Sequence, residues 1–555
     1  MATFMGVLPA SSPAQRSFLH RVLRALRPSH EHSAFSATLL LMTAVMLSRV
    51  IGYVREAYIA WAFGAGPQTD AYVAAFTLPD FLNYILAGGT ASITFIAIYT
   101  RFLTKQRETE AQETFSVIIT VMTSVLTLGV VVAEIFAPQI ERVIFPRFSP
   151  EQIRLCVFLT RILLPGQIFF YVGGVVSAVL LSRRLFLIPA FAPLLYNLFI
   201  ILGGVLLSGR LGIASLAVGA LAGSFTGPFL INAMGAVRTG MRYVPNFDTG
   251  NPAFREWVGL SIPLMLGVSL VTADDWILRY FASGGAGDIT RLNYAKRLFA
   301  VPMAVLGQAA GQASLPFFAR LFNEKRLREF AETVSGAVSR ISAASFLVTA
   351  WMMATALPVI DLVYRRGRFH FGDSRETAAY FFWFALSLAF WSAQAIYSRG
   401  FYGAGNTLTP MVASSIITVA SLPVYWSLFH ALSVVGLAIA SDIGIMANTV
   451  VLAILLHRRS LVPAQLLGWK ELGKAAITAL FAGVVSYKVA GVFAIDGSRR
   501  ADLEALALAT ITWAAAVAGG LAITRSQLLH DLRQRRREPS AESSAPEALS
   551  SRAEP

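Results

Sequence analysis

From residue 36 to residue 524 the chain alternates long apolar runs with short polar breaks. A helix rising 1.5 Å per residue needs about 20 mainly apolar residues to cross a hydrocarbon core. On that measure about fourteen spans are predicted, at 38–61, 71–101, 114–137, 153–181, 188–208, 213–237, 256–281, 291–320, 333–364, 377–399, 409–431, 435–456, 472–493 and 503–524. The predicted fold is therefore all-α and polytopic. The polar breaks alternate in charge. Every second one is basic, as in Arg101, Lys105 and Arg107, then Arg183 and Arg184, Arg238 and Arg242, Arg320, Lys325, Arg326 and Arg328, Arg399, and His457, Arg458 and Arg459. The intervening breaks are neutral or mixed, although 361–376 carries Arg365, Arg366 and Arg368. Because basic loops remain on the cytoplasmic side, an even number of spans with both termini cytoplasmic is expected.

Composition agrees: 55% of the 555 residues are hydrophobic and only 14% charged, with mean hydropathy +0.61, against about 25% charged in soluble domains. The net charge of +15 is accounted for by basic loops and by arginines within spans. No nucleic-acid-binding motif accompanies it, so nucleic acid is not an expected partner. Cys156 is the only cysteine, which excludes an intramolecular disulfide and a cysteine-cluster metal site, and the seven histidines lack metal-ligand spacing. Residues 1–35 have no long apolar core and are interrupted by Arg16, Arg21, Arg24 and Arg27, which suits a basic amphipathic extension on the membrane surface rather than a signal peptide. The Ser/Ala/Glu/Pro-rich end, 526–555, reads as a disordered cytoplasmic tail.

Charges inside the spans change the picture. Arg49, Arg55 and Glu56 lie in the first span. An ionised side chain at bilayer depth costs roughly 3 kcal/mol on insertion scales, so it must face a protein interior or a hydrated cavity. Arginine stays charged and presents a fork to phosphate oxygens. Arg49 and Arg55 stand six positions apart in adjacent turns, and both can line one broad cavity wall. The plainer alternatives are snorkelling for Arg49 and, for Arg55 and Glu56, neutralising charges elsewhere. Asp70 opens the second span, where it suits either a helix N-cap or a gate partner for an arginine. Asp274 and Asp275 lie side by side in the seventh span, and for them three options are open: pairing with Arg279, lining the cavity, or holding a coupling cation such as Na⁺.

The chain also resembles itself. Phe63-Gly64-Ala65-Gly66 … Leu78-Pro79 is echoed by Phe281 … Gly284-Gly285-Ala286-Gly287 … Val301-Pro302, and Ser182-Arg183-Arg184 … Pro193 by Ser398-Arg399-Gly400 … Pro410, at an offset of about 220 residues. Such repeats build many secondary transporters, with the substrate between the halves. The expected organisation is an N-lobe at 36–240 (spans 1–6), a C-lobe at 241–460 (spans 7–12) and two further spans at 461–525. Pro79, Gly88 and Gly89 interrupt the second span, and Pro302, Gly307 and Gly311 the eighth, at matching places.

The run Ser48-Arg49-Val50-Ile51-Gly52-Tyr53-Val54-Arg55-Glu56 … Phe63-Gly64-Ala65-Gly66 … Thr69-Asp70-Ala71-Tyr72 … Phe76-Thr77-Leu78-Pro79 resembles the first two spans of the MurJ/MviN family of lipid II flippases, within the polysaccharide-exporter superfamily. Ile188-Pro189-Ala190-Phe191-Ala192-Pro193 … Asn197, Tyr294-Ala295-Lys296-Arg297-Leu298, Arg366-Gly367-Arg368-Phe369 and Asn406-Thr407-Leu408-Thr409-Pro410 extend the similarity. The resemblance implies two lobes around a cavity that alternates between membrane faces, with substrate pyrophosphate bound by Arg49, Arg55 and Arg297. It places Glu56 and Asp70 as gate or ion-pair residues, spans 13 and 14 as a groove for the lipid tail, and a Na⁺ site in the second lobe. Four positions depart from the family pattern: Asn83 and Tyr84 stand where Arg-Arg is common, Gly88 where glutamate is common, and Lys296 where an acid often precedes the arginine. Lys296 and Asn83 thus join the substrate-binding candidates, with Asp274 and Asp275 as candidate Na⁺ ligands. The expected function is translocation of lipid II between leaflets of a bacterial inner membrane, driven by potential or an ion gradient, without enzymatic chemistry. Membrane lipids and cell-wall synthesis proteins are the further partners implied. Rival readings are export of another polyprenyl-diphosphate-linked glycan and a non-transporting scaffold.

Overall fold

A computed structural model describes residues 34–84, 89–183, 185–266, 270–458, 461–493 and 498–528. Gly88, the stretch before residue 34 and the tail beyond residue 528 lie outside the described residues. Among those described, every predicted span falls on helix and no strand occurs. Among the described residues nine helices are long and apolar enough to cross a bilayer, or ten if Phe371–Leu386 and Leu388–Gly403, bent by 43°, form one span. The helix Leu408–Arg458 holds two of the predicted spans: Ser433 interrupts it with non-helical φ 54° and ψ −140°.

Several spans are broken, and the breaks have local causes. Span 2 is divided into Pro67–Ala74, Thr77–Leu82 and Gly89–Thr104. Span 8 runs from Asp288–Met303 through a π-helical turn, Ala304–Ala309, to Ala310–Asn323. Pro302 lies just before that turn and Gly307 within it. Proline removes a ladder donor, and a π turn absorbs the mismatch. A second π turn, Phe225–Ile231, contains Pro228.

The chain forms two compact units. One comprises the described chain through Tyr58 with Ala75–Glu141 and Ile153–Leu266; the other comprises Ile59–Ala74, Arg142–Gln152 and the described chain from residue 270 onward. The first is centred on Phe95, Tyr99, Phe115, Tyr171 and Trp257, all buried. In the second, Phe318, Phe330, Ile396 and Phe401 form the main cluster. Long apolar side chains also remain on the outside, among them Leu128, Ile135, Leu206, Val419, Ile477 and Ile511. A soluble protein rarely exposes so continuous an apolar surface; on spanning helices it faces lipid tails.

The last two helices belong to the second unit. Trp469–Phe493 and Arg499–Ile523 pack against each other and against Leu327–Ala354. Trp351 Nε1 donates to Thr510 Oγ1 at 2.9 Å and Trp513 Nε1 to the Leu347 carbonyl at 2.8 Å. Two apolar furrows of about 570 Å³ each run beside Leu327–Ala354, and Phe346 and Ala476 line both.

Candidate functional site

In the first unit, the helix Ala34–Phe63 carries Arg49, Arg55 and Glu56. Arg49 is exposed, and no acidic partner stands against it among the described residues. Arg55 is half-buried. It is ion-paired with the buried Glu56 and donates through Nη1 to Asn197 Oδ1 at 2.8 Å. Asn197 in turn donates to the Pro193 carbonyl at 3.0 Å, which fixes the amide so that its oxygen faces the guanidinium. The two first-span arginines therefore differ: one is braced by an acid and an amide, the other is not.

Asn83 follows the short helix Thr77–Leu82. Its Nδ2 donates to Gln167 Oε1 at 2.8 Å, across to the helix Gly166–Ser182. Both line a cavity of about 340 Å³ that Asp80 also borders. Asn83 thus lies in a polar hollow of the same unit as Arg49 and Arg55.

In the second unit, Arg297 occupies an exposed position on the helix Asp288–Met303. Its neighbour Lys296 is ion-paired with both Asp274 and Asp275. Asp274 is buried and also accepts from the Tyr425 hydroxyl and, at 3.0 Å, from the Ser441 hydroxyl. The adjacent carboxylates of span 7 are thus held by a lysine and two hydroxyls. No group of three His, Cys, Asp or Glu side chains suited to a metal ion is found among the described residues. An incoming Na⁺ at Asp274 would have to compete with the tethered ammonium of Lys296.

Asp70 is fully buried in Pro67–Ala74. Rather than capping its own helix, it accepts from the backbone N–H groups of Gly287 and Thr290 at 2.5 and 2.9 Å and from the Thr290 hydroxyl at 2.7 Å. It therefore caps the helix that carries Lys296 and Arg297. Two glycines with positive φ, Gly64 at 71° and Gly287 at 85°, permit this approach: a Cβ on Gly64 would lie 2.6 Å from the Arg368 carbonyl oxygen, and one on Gly287 2.9 Å from that of Ala65.

Four positioning residues were not singled out by charge or spacing. Asn197 and Gln167 are polar residues in apolar helices, and each reaches a partner far along the chain. Tyr425 is indistinguishable in sequence from a core aromatic. Arg291, whose side chain is 11% exposed, binds Asp288 at 3.0 Å, Asp373 at 2.9 Å and Glu376 at 3.0 Å. The acids Asp373 and Glu376 lie over 80 residues away from it.

Residues 59–499 match the family described as Lipid II flippase MurJ. A probable lipid II flippase MurJ of Rickettsia prowazekii is 26% identical over 420 residues, covering 75% of this chain and 82% of that protein. The lipid II flippase MurJ of Burkholderia cenocepacia is 26% identical over 491 residues, covering 85% and 93%. Among solved structures, a lipid II flippase MurJ in an inward closed conformation superposes with a TM-score of 0.74 at 20% identity, covering 89% of this chain and all of that one. A multidrug resistance MATE family transporter in an inward-facing conformation gives 0.62 at 16% identity, covering 76% and 97%. At such identities these structures speak to the fold alone. With the family match spanning most of its length, the chain belongs to the lipid II flippase MurJ family.

Proposed function

We propose that this protein translocates lipid II, the undecaprenyl-diphosphate-linked disaccharide-peptide, from the cytoplasmic to the periplasmic leaflet of a bacterial inner membrane. The single observation that carries the reading at residue level is Arg49: an arginine in an apolar helix, exposed and with no acid against it among the described residues. A cation so placed costs several kcal/mol unless an anion or water meets it. A diphosphate headgroup is such an anion. Arg55, oriented by Asn197, and Arg297 complete the set of phosphate-binding candidates. The furrows beside Trp469–Phe493 offer an apolar bed for a polyprenyl tail.

No bond is made or broken in such a transfer. The driving force in this reading is the membrane potential. An inside-negative potential favours return of an emptied, net-cationic cavity to the inward state, and Lys296 already meets the charge of Asp274 and Asp275. Both termini lie in the cytoplasm, and cell-wall synthesis proteins are the expected neighbours.

The test is complementation of a strain depleted of its lipid II flippase, with protein abundance measured in parallel. Growth of the depleted strain is expected, together with loss of transport on collapse of the potential. Good expression without growth would favour another polyprenyl-diphosphate-linked glycan as cargo. Growth rescued equally well by the Arg49→Ala, Arg55→Ala and Arg297→Ala variants would favour a scaffold. Transport that depends on Na⁺ and survives collapse of the potential would return Asp274 and Asp275 to the role of cation ligands.

A further inference from the structure

The first unit holds a buried acid that no cation meets. Glu141 lies near the end of the helix Glu108–Ile144 and is fully buried. Its partners come from the helix Pro150–Leu163: the Thr160 hydroxyl, 2.8 Å from Oε1, and the Cys156 thiol, 3.6 Å from Oε2. The charged groups nearby on these two helices are turned elsewhere. Arg142, Glu151 and Arg154 are exposed, and Arg161 donates to the Glu134 carbonyl at 3.1 Å. Among the described residues Cys156 is thus the one titratable side chain that faces Glu141. Burying an ionised carboxylate without a counter-charge is far costlier than burying the neutral acid.

Thr160 has a second acceptor within reach. Its Oγ1 is 3.3 Å from the Ala75 carbonyl oxygen, at the break between Pro67–Ala74 and Thr77–Leu82. In a continuous helix that carbonyl would accept from the N–H of residue 79, and residue 79 is proline. Thr160 supplies the donor that Pro79 lacks. One hydroxyl carries one proton. An ionised Glu141 is the stronger acceptor and takes that proton, so the Ala75 carbonyl loses it. A protonated Glu141 instead donates to Thr160 Oγ1, and Thr160 donates to Ala75. Each donor of the chain then has its acceptor.

The internal repeat shows that the scaffold does not require an acid here. With Pro79 matched to Pro302, the position corresponding to Ala75 is Leu298. That half answers its proline with the π turn Ala304–Ala309.

We propose that Glu141 is a proton-binding site that switches the brace on the break in span 2. With the proton bound, Glu141, Thr160 and Ala75 are joined in one direction. With the proton released, Thr160 turns to the carboxylate, the Ala75 carbonyl is left open, and the break loosens. The switch does not depend on the identity of the cargo.

The full-length protein in lipid nanodiscs is followed by hydrogen exchange over residues 72–84. Rates are corrected for the intrinsic pH dependence of exchange, over about pH 5–9, where buried carboxylic acids ionise. In the wild type, protection is expected to fall by about three- to tenfold as pH rises, the equivalent of one hydrogen bond. Glu141→Gln carries an NH₂ that donates to Thr160 at every pH, so it should keep the acid level of protection throughout. Thr160→Val keeps the shape without the hydroxyl and should show the low level at every pH, whereas Thr160→Ser should follow the wild type. Matching elution profiles identify the folded variants. At acidic pH the infrared difference between wild type and Glu141→Gln should contain the carbonyl band of a protonated acid, shifted in D₂O. The proposal is overturned if wild type and Glu141→Gln respond alike to pH. It is equally overturned if Thr160→Val protects the break as well as the wild type does, or if the difference spectrum contains carboxylate bands alone. Should Thr160→Val not fold, the Glu141→Gln exchange profile and the infrared band decide.

Discussion

Asp70 holds Thr290 by both its backbone N–H, at 2.9 Å, and its hydroxyl, at 2.7 Å, across 220 residues of chain. That interval is close to the offset of about 220 residues at which the sequence repeats, so the contact joins matching regions of the repeat rather than matching positions. The carboxylate also accepts from Gly287, and all three donors lie in the first turn of the helix carrying Lys296 and Arg297 or just before it. A buried carboxylate facing a helix N-terminus meets both the free N–H groups and the positive end of the dipole. Asp70→Ala would leave those donors without a partner, at about 1–3 kcal/mol for each buried one. A marked fall in the thermal midpoint of the purified protein is expected. Asp70→Asn, which keeps one acceptor oxygen, should fall between the wild type and Asp70→Ala. Equal midpoints for all three would dismiss the cap.

Lys296 bridges two acids of very different standing. The side chain of Asp274 is 2% exposed and that of Asp275 is 50% exposed. A solvent-exposed pair contributes little, so the stabilisation resides in the Lys296–Asp274 contact. Removing one partner of a buried pair costs about 3–5 kcal/mol, because it strands the other charge. Lys296→Met is therefore expected to destabilise strongly. Lys296→Met combined with Asp274→Asn should recover much of the loss, since Tyr425 can still donate to the amide oxygen while the amide NH₂ donates to the Ser441 hydroxyl. A double-mutant cycle on the melting temperature measures this coupling. Additive losses would contradict it.

The helical fold could be read from the sequence because the bilayer demands long apolar runs and the charges within them stand out. Arg49 and Arg55 were visible for that reason, and Lys296 and Arg297 were marked by the family resemblance. The acids Glu56, Asp274 and Asp275 were visible too, but the pairings across the fold were not. Nothing local distinguishes Asn197 from any other amide in a span, and its role exists only because the helix Leu187–Leu211 brings it to Arg55. Asp70 was recognisable as a helix cap by residue type, but sequence pointed to its own helix, whereas it caps one far along the chain. For Asp274 and Asp275 three options were open, pairing with Arg279 among them, and the structure pairs both acids with Lys296 from the next span. In each case pattern gave the element, and tertiary placement gave the partner.

Small residues on the neighbouring helices Leu187–Leu211 and Ala214–Ser224 give two opposed outcomes. The two meet at a close crossing: a Cβ on Gly219 would lie 2.5 Å from the Phe199 carbonyl oxygen, and one on Gly203 2.6 Å from that of Ser215. Backbone atoms cannot swing aside, so Gly219→Ala must push the helices apart, at about 1–3 kcal/mol. Gly209 lies on the same helix as Gly203, and a Cβ there meets nothing within 4 Å. Gly209→Ala is expected to be neutral or to stabilise by about 0.5–1 kcal/mol, through the lower backbone entropy of alanine. Comparing the two melting temperatures checks the crossing. A similar gain at both sites would mean that helix propensity, not contact, governs this pair.

The first-span arginines separate stability from transport. Arg55 neutralises Glu56, which is 5% exposed. Arg55→Ala removes that pairing, so it should lower the melting temperature as well as abolish complementation. Arg49 has no acid against it among the described residues, and its replacement strands nothing. Arg49→Ala is expected to abolish complementation while leaving the thermal midpoint within the equivalent of about 0.5 kcal/mol, as for a surface substitution. Arg49→Lys keeps the charge but loses the bidentate fork, so partial function is expected. Combining Arg55→Ala with Glu56→Gln should restore stability without restoring growth, because the acid is neutralised while the phosphate fork stays absent. If that double variant grows normally, Arg55 serves only to balance Glu56. The headgroup must then be held by the remaining arginines.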